Sequence, residues 1–243
     1  MEKLVYLLWD RRAHDGDAMA RWLLDACAPA LLELGARGLS INVNDADANA
    51  PAPLPTPAGE IPLGAEVSLW LDCHDRRAPF DALLRSRGHR VAAYLVTESL
   101  YTDYGGNAHS GARDWPDGVR SPGLLTVSLL EKPEPMDDDT WYAHWYGVQS
   151  PVSEAIQPRA RYVRNAVARR LDADAPPYRG IVEEAWPSAE HVRDPMLFYR
   201  ADGSQERLRR HIERMLESVN AFLELPRLRV VTMSEYLLRS PTA

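Results

Sequence analysis

One order of segments occurs twice along the chain, and this internal repeat limits its fold more than any other feature. Each half opens with an apolar run, KLVYLLW at 3–9 and LLTVSLL at 124–130. A helical pattern follows in each. In the first half Met19, Trp22, Leu23, Ala26, Ala30 and Leu34 keep helical spacing. In the second, Asp137, Asp138 and Asp139 favour a helix start ahead of Trp141, Trp145, Val148 and Val152 on one face. Pro29 lies seven residues after Trp22 and Pro151 six after Trp145, so each helix is expected to bend or end there.

Alternating segments at 39–43 and 161–167 read as second strands. Both run into Asp-Ala-Asp-Ala, at 45–48 and at 172–175. Third strands at 66–71 and 180–186 and fourth strands at 90–100 and 228–237 complete β-α-β-β-α-β in each half, the ferredoxin-like unit. Helices cover one face of such a sheet and leave the other bare. An α+β chain with two units is therefore expected to pack them sheet to sheet, as an intramolecular dimeric α+β barrel. The boundaries are 1–104 for the N-terminal unit, 105–121 for a turn-rich linker and 122–243 for the C-terminal unit. The alanine- and proline-rich stretch 44–64 reads as a long, mobile loop between strands. The second helix is short in the first half, at 79–86. The second half has a short helix at 189–200 and a strong one at 204–225, striped by Leu208, Ile212, Met215, Leu216, Val219 and Leu223.

Composition narrows the chemistry. The chain has 243 residues and a formal charge of −7, which argues against nucleic acid as a partner. No apolar run reaches the roughly 20 residues of a membrane span, and no signal-peptide pattern is visible, so a cytoplasmic location is expected. Cys27 and Cys73 cannot build a disulfide framework, and Lys3 and Lys132 are the only lysines. There is no glycine-rich nucleotide loop, serine-hydrolase elbow or zinc-protease motif. No cofactor and no metal is called for. His211, set among Arg209, Arg210, Glu213 and Arg214, fits a solvated face better than a haem ligand. Cys73-His74-Asp75 fits a turn better than a metal site.

The second half resembles the EthD-domain family of dimeric α+β barrels. Leu129-Leu130-Glu131-Lys132 is similar to the end of that family's first strand, and Trp141-Tyr142-Ala143-His144-Trp145 to its aromatic-x-x-x-Trp helix motif. Residues 178–183 and 231–238 resemble its third and closing strands. The first half keeps Trp22 and the strand order. The resemblance implies a tandem duplication with a small-molecule pocket, in a family linked to ethers and to aromatic or polyketide-like metabolites. It also implies a histidine four residues after the helix tryptophan. This chain has Gln149 there, and Ala26 or Cys27 in the first half.

The densest polar and aromatic constellation runs from Trp141 to Asn165. Trp145, Gln149 and Glu154 lie approximately on one side of the helix, with Ser150 and Ser153 adjacent. Along the next strand Tyr162 and Arg164 point one way, and Arg161 and Asn165 the other. With Glu183 on a neighbouring strand, one of these faces is expected to line a helix–sheet cleft. Trp141 belongs to the same substrate-binding set, and Trp22 is its N-terminal counterpart. Burial would raise the pKa of Glu183 and suit it to general-base work, with His144 as the other acid-base group. Glu98 and Glu235 end equivalent strands and are expected to be solvated, and His109 and Trp115 lie in the linker, where a turn-rich connector fits them better than a lid. Two functions fit. One is cofactor-independent acid-base chemistry on a small apolar or aromatic oxygenated metabolite. The other is a non-catalytic binding or structural protein that has lost the family histidine. A homodimer of the covalent pseudo-dimer is the further partner allowed.

Overall fold

Eight antiparallel strands close into a barrel in the order β1-β3-β2-β8-β5-β7-β6-β4. They are β1 (Glu2–Trp9), β2 (Gly38–Val43), β3 (Ala65–Leu71), β4 (Arg90–Thr102), β5 (Leu124–Glu131), β6 (Arg161–Arg170), β7 (Tyr178–Trp186) and β8 (Arg229–Arg239). The computed structural model describes residues 1–11, 14–48 and 50–241. Within each half the strand order is fourth, first, third, second. The halves join edge to edge, through β2–β8 pairing, where Asn42 faces Glu235, and β4–β6 pairing, where Glu98 faces Asn165. Face-to-face stacking alone would have left four open edges; the two seams leave none.

Alternation along each strand divides the residues between two environments. Leu4, Tyr6 and Leu8 of β1 face outward and pack with Trp22, Leu23 and Leu31. Val5, Leu7 and Trp9 face inward and meet Tyr94, Val127, Leu129 and Met233, so one interior core is shared by both halves. The outer face of the second half is covered by Trp141, Trp145, Met215 and Phe222.

Each tryptophan helix continues through its proline instead of ending there. The first comprises Gly16–Arg21, a π turn Trp22–Cys27 and Ala28–Glu33; the second comprises Asp138–His144, a π turn Trp145–Gln149 and Ser150–Ile156. Asp15 and Asp137 cap them, accepting from Ala18 N–H and Thr140 N–H. Each π turn starts at the equivalent tryptophan. The Ala28 and Ser150 N–H groups donate five residues back, to Leu23 O and Trp145 O. The wider turn shifts the ladder just before the proline, where a donor is missing, and the helix survives.

Two other expectations are corrected. The 189–200 segment is two short helices, Glu190–Arg193 and Pro195–Phe198, because Asp194 caps the second with its side chain on Met196 N–H. The 44–64 loop is tied to the second half: Asn44 Nδ2 donates to Thr232 O at 2.7 Å, and Arg229 pairs with Glu60. Trp115 of the linker stacks edge-on against Tyr104 and donates to Ser121 Oγ. Tyr104 in turn donates to Glu235, so this part of the linker packs at the polar end of the barrel.

Candidate functional site

A cavity of about 170 Å³ lies between the outer face of the C-terminal sheet and its helices. Trp145, Gln149 and Ser153 reach it from the tryptophan helix, Tyr162 and Glu184 from β6 and β7, and Met215 from helix Gln205–Asn220. The walls are fixed locally. Trp145 packs against Gly180, where a Cβ would stand 2.7 Å from the indole edge. Its Nε1 donates to the Tyr162 hydroxyl at 3.2 Å, and Ser150 Oγ donates to Trp145 O at 2.9 Å. That leaves the Tyr162 proton for Ser150 Oγ, 3.3 Å away. Burial raises the Tyr162 pKa, so the phenol is neutral. The Arg159 guanidinium covers the Tyr162 ring at 3.9 Å and pairs with Glu184 at 3.0 Å.

Gln149 differs from these neighbours. Its Nε2 meets the Met215 sulfur at 3.3 Å, a weak acceptor, while its buried Oε1 has no partner among the described residues.

Four of the residues singled out from sequence, Trp145, Gln149, Ser153 and Tyr162, therefore come together at the cavity. Trp141 stands behind Trp145, with its Nε1 donating to Phe222 O at 3.0 Å. Arg164 lies outside the cavity against the Tyr146 and Tyr101 rings, and Trp22 packs in the first half beside His89. His144 turns to the last helix, bonding Ser218 O at 2.8 Å and stacking on Phe222. His211 bonds Tyr199 O at 2.6 Å.

Glu183, Arg161 and Asn165 point into the barrel, on the opposite side of the sheet from the cleft. Glu183 accepts from Lys3 at 3.1 Å, Asn165 at 2.8 Å and Arg161 at 3.3 Å. Arg161 also reaches Glu235 at 2.9 Å, and Lys3 reaches Glu98 at 2.7 Å. Glu235 is thus buried and Glu98 half-buried, both paired, where solvated strand ends were expected. Burial alone would raise the Glu183 pKa, but Lys3 and Arg161 outweigh it and hold the carboxyl at about 2. The expected general base is therefore ionised at neutral pH and serves as a counter-ion. Glu66, bonded to Asn42 Nδ2 in the same interior, goes the other way: burial and the neighbouring Glu183 charge push it well above the usual carboxylate range.

Sequence reasoning missed Lys3, Glu66 and Glu184. Lys3 sits in an apolar run with the parity of Val5 and Leu7, and that parity was its one available signal.

No family model and no curated protein matches the chain. Among solved structures it is similar to an anthrone oxidase-like protein, at 9% identity and a TM-score of 0.55, covering 100% of this chain and 95% of that one. A putative monooxygenase from Fusobacterium nucleatum is similar at 6% identity and a TM-score of 0.50, covering 98% and 92%. These neighbours are dimeric α+β barrel proteins, and the eight-stranded antiparallel barrel with its helices places this chain in that fold.

Among the described residues, no helix is long and apolar enough to cross a membrane.

Proposed function

We propose that the cleft beside Trp145 binds a small aromatic molecule carrying a hydroxyl group. One observation carries this reading: Gln149 lines a largely apolar cavity, and its buried oxygen has no partner among the described residues. A bare buried acceptor costs about 1–3 kcal/mol, and an O–H on the ligand would offset that. The cavity, about 170 Å³, is close to the roughly 150 Å³ known to take benzene, and below the roughly 300 Å³ where drug-sized pockets begin. It suits a single ring. The descriptions of the two neighbours, anthrone oxidase-like and monooxygenase, accord with handling of oxygenated aromatics.

The chain also reads as a tandem pair of ferredoxin-like units related to the EthD-domain family. The repeated strand order and the matching π turns at Trp22 and Trp145 support this. Neither Glu183 nor His144 reaches the cleft, so binding without turnover is the reading favoured. Phenol at 100 times its Kd should stabilise the protein by about 2.7 kcal/mol. Gln149→Leu should remove most of that shift. No stabilisation by any monocyclic phenol would refute the reading.

A second reading, catalysis, has one observation in its favour. Glu184 is the one carboxylate lining the cleft among the described residues, placed to take a proton from a ligand O–H or acidic C–H. Turnover lost in Glu184→Gln with binding intact would select it.

A further inference from the structure

We infer that Leu54, carried on the N-terminal half, is the specificity-determining residue of the C-terminal cleft and stops it at one ring. The inference rests on the reading of that cleft as a binding site. Of the described lining residues, Pro53 and Leu54 alone come from the first half of the chain.

The segment that carries them is built to hold a position. Residues 51–57 read Pro-Ala-Pro-Leu-Pro-Thr-Pro, with prolines at alternate places. Each proline fixes φ and removes a donor, so the stretch is a stiff strap, bent at Pro53 and Leu54, that joins no strand. Both its ends are fastened to the other half. Before it, Thr232 Oγ1 donates to Ala50 O at 2.9 Å, and Ala48 and Ala50 pack with Trp186 and Leu124. After it, Arg229 makes two hydrogen bonds to Glu60, at 2.7 and 2.8 Å, and Leu63 enters the core shared by the two halves. A stiff segment anchored at both ends cannot slide, so these anchors set where Leu54 stands over the cavity.

Leu54 is half-buried and belongs to none of the hydrophobic clusters, so the fold does not need its side chain elsewhere. The other walls are the sheet, the Trp145 helix, the last helix with its following turn, and the Phe198 and Tyr199 rings. A second fused ring would have to displace the isobutyl group of Leu54, the one lining leucine held by neither the sheet nor the last helix and its following turn.

The test is equilibrium binding of phenol and 1-naphthol, by calorimetry, to the wild-type chain and to Leu54→Ala, Leu54→Trp and Gln149→Leu. A surface strap tolerates these Leu54 changes, and unchanged thermal unfolding of the free variants checks that. The wild type should bind 1-naphthol at least about 10-fold more weakly than phenol, and Leu54→Ala should bring the two within about 3-fold. Leu54→Trp should weaken phenol. Equal binding of both probes by wild type and Leu54→Ala, with loss in Gln149→Leu, would overturn the role of Leu54 and leave the cleft as the site. No binding of either probe to any of the proteins would remove the binding reading, and this inference with it.

Discussion

Lys3 Nζ lies 3.1 Å from Glu183 Oε1 inside the barrel, joining the first strand to the seventh, with both side chains almost wholly buried. The same ammonium holds Glu98 at 2.7 Å and sits 4.7 Å from the centre of the Trp70 ring. Buried carboxylates stripped of a counter-ion are costly. Lys3→Met should therefore destabilise the protein by about 3–5 kcal/mol. Adding Glu183→Gln to it should restore a large part of the loss, since the uncompensated charge goes too. Urea denaturation of the four proteins of the cycle reads this coupling, and additive effects would contradict it.

Glu183 and Glu66, both in the barrel interior, should act on stability at opposite ends of the pH scale. Glu183, facing Lys3, Arg161 and Asn165, has a lowered pKa; its contribution is present above the unfolded value of about 4.5 and fades as pH falls toward 2. Glu66, facing Asn42, Glu183 and Lys3, has a raised pKa. Its contribution is complete below the unfolded value and is lost as pH rises through the folded one, at up to about 1.4 kcal/mol per pH unit. Glu66→Gln keeps the neutral shape and removes that loss. Stability measured from pH 4 to 9 should therefore fall less in Glu66→Gln than in the wild type, and parallel curves would refute the assignment.

How much of this was legible in the sequence depends on how many sides of an element are buried. Trp145 and Gln149 stand four residues apart on a helix with one exposed side, so their shared face could be read directly. Glu154, expected on that side, does not line the cavity and accepts from the Tyr101 hydroxyl. The same parity rule separated Tyr162 and Arg164 from Arg161 and Asn165. It could not say which set faces the helices. In a closed barrel both sides of a strand are covered, and β1 is buried along nearly its whole length, so apolar alternation carries no sign. That ambiguity put Glu183 in the cleft when it belongs to the interior. The contact of Leu54 with the second half's cleft was beyond reach for a different reason. It depends on where the β2–β8 seam brings a loop, and no local pattern encodes that.

Gly180 lets the indole of Trp145 lie on the sheet. A Cβ there would stand 2.7 Å from one ring carbon and 3.0 Å from the next. Gly180→Ala must push the ring outward into the cavity or shift β7. Overpacking of this kind costs about 1–3 kcal/mol. Thermal unfolding should show that loss, and phenol binding should weaken with it because the moved ring occupies ligand space. Retained stability together with unchanged binding would mean that Trp145 is not pinned by the glycine.

Gln149 sets stability against binding. Among the described residues its buried Oε1 has no partner and its Nε2 meets the Met215 sulfur. Replacing it with leucine swaps an unsatisfied amide for apolar surface beside Met215 and Val219 in the cavity wall. Gln149→Leu should therefore stabilise the free protein by about 1 kcal/mol or more, since the desolvation cost of the bare oxygen disappears. The same change removes a buried acceptor that has no partner among the described residues, so a ring bearing a hydroxyl should lose affinity while benzene should not. Measuring urea stability, phenol binding and benzene binding on one variant separates the two effects. A variant less stable than the wild type would show that the amide is already satisfied within the fold, and that the cleft does not hold a polar group in reserve for a ligand.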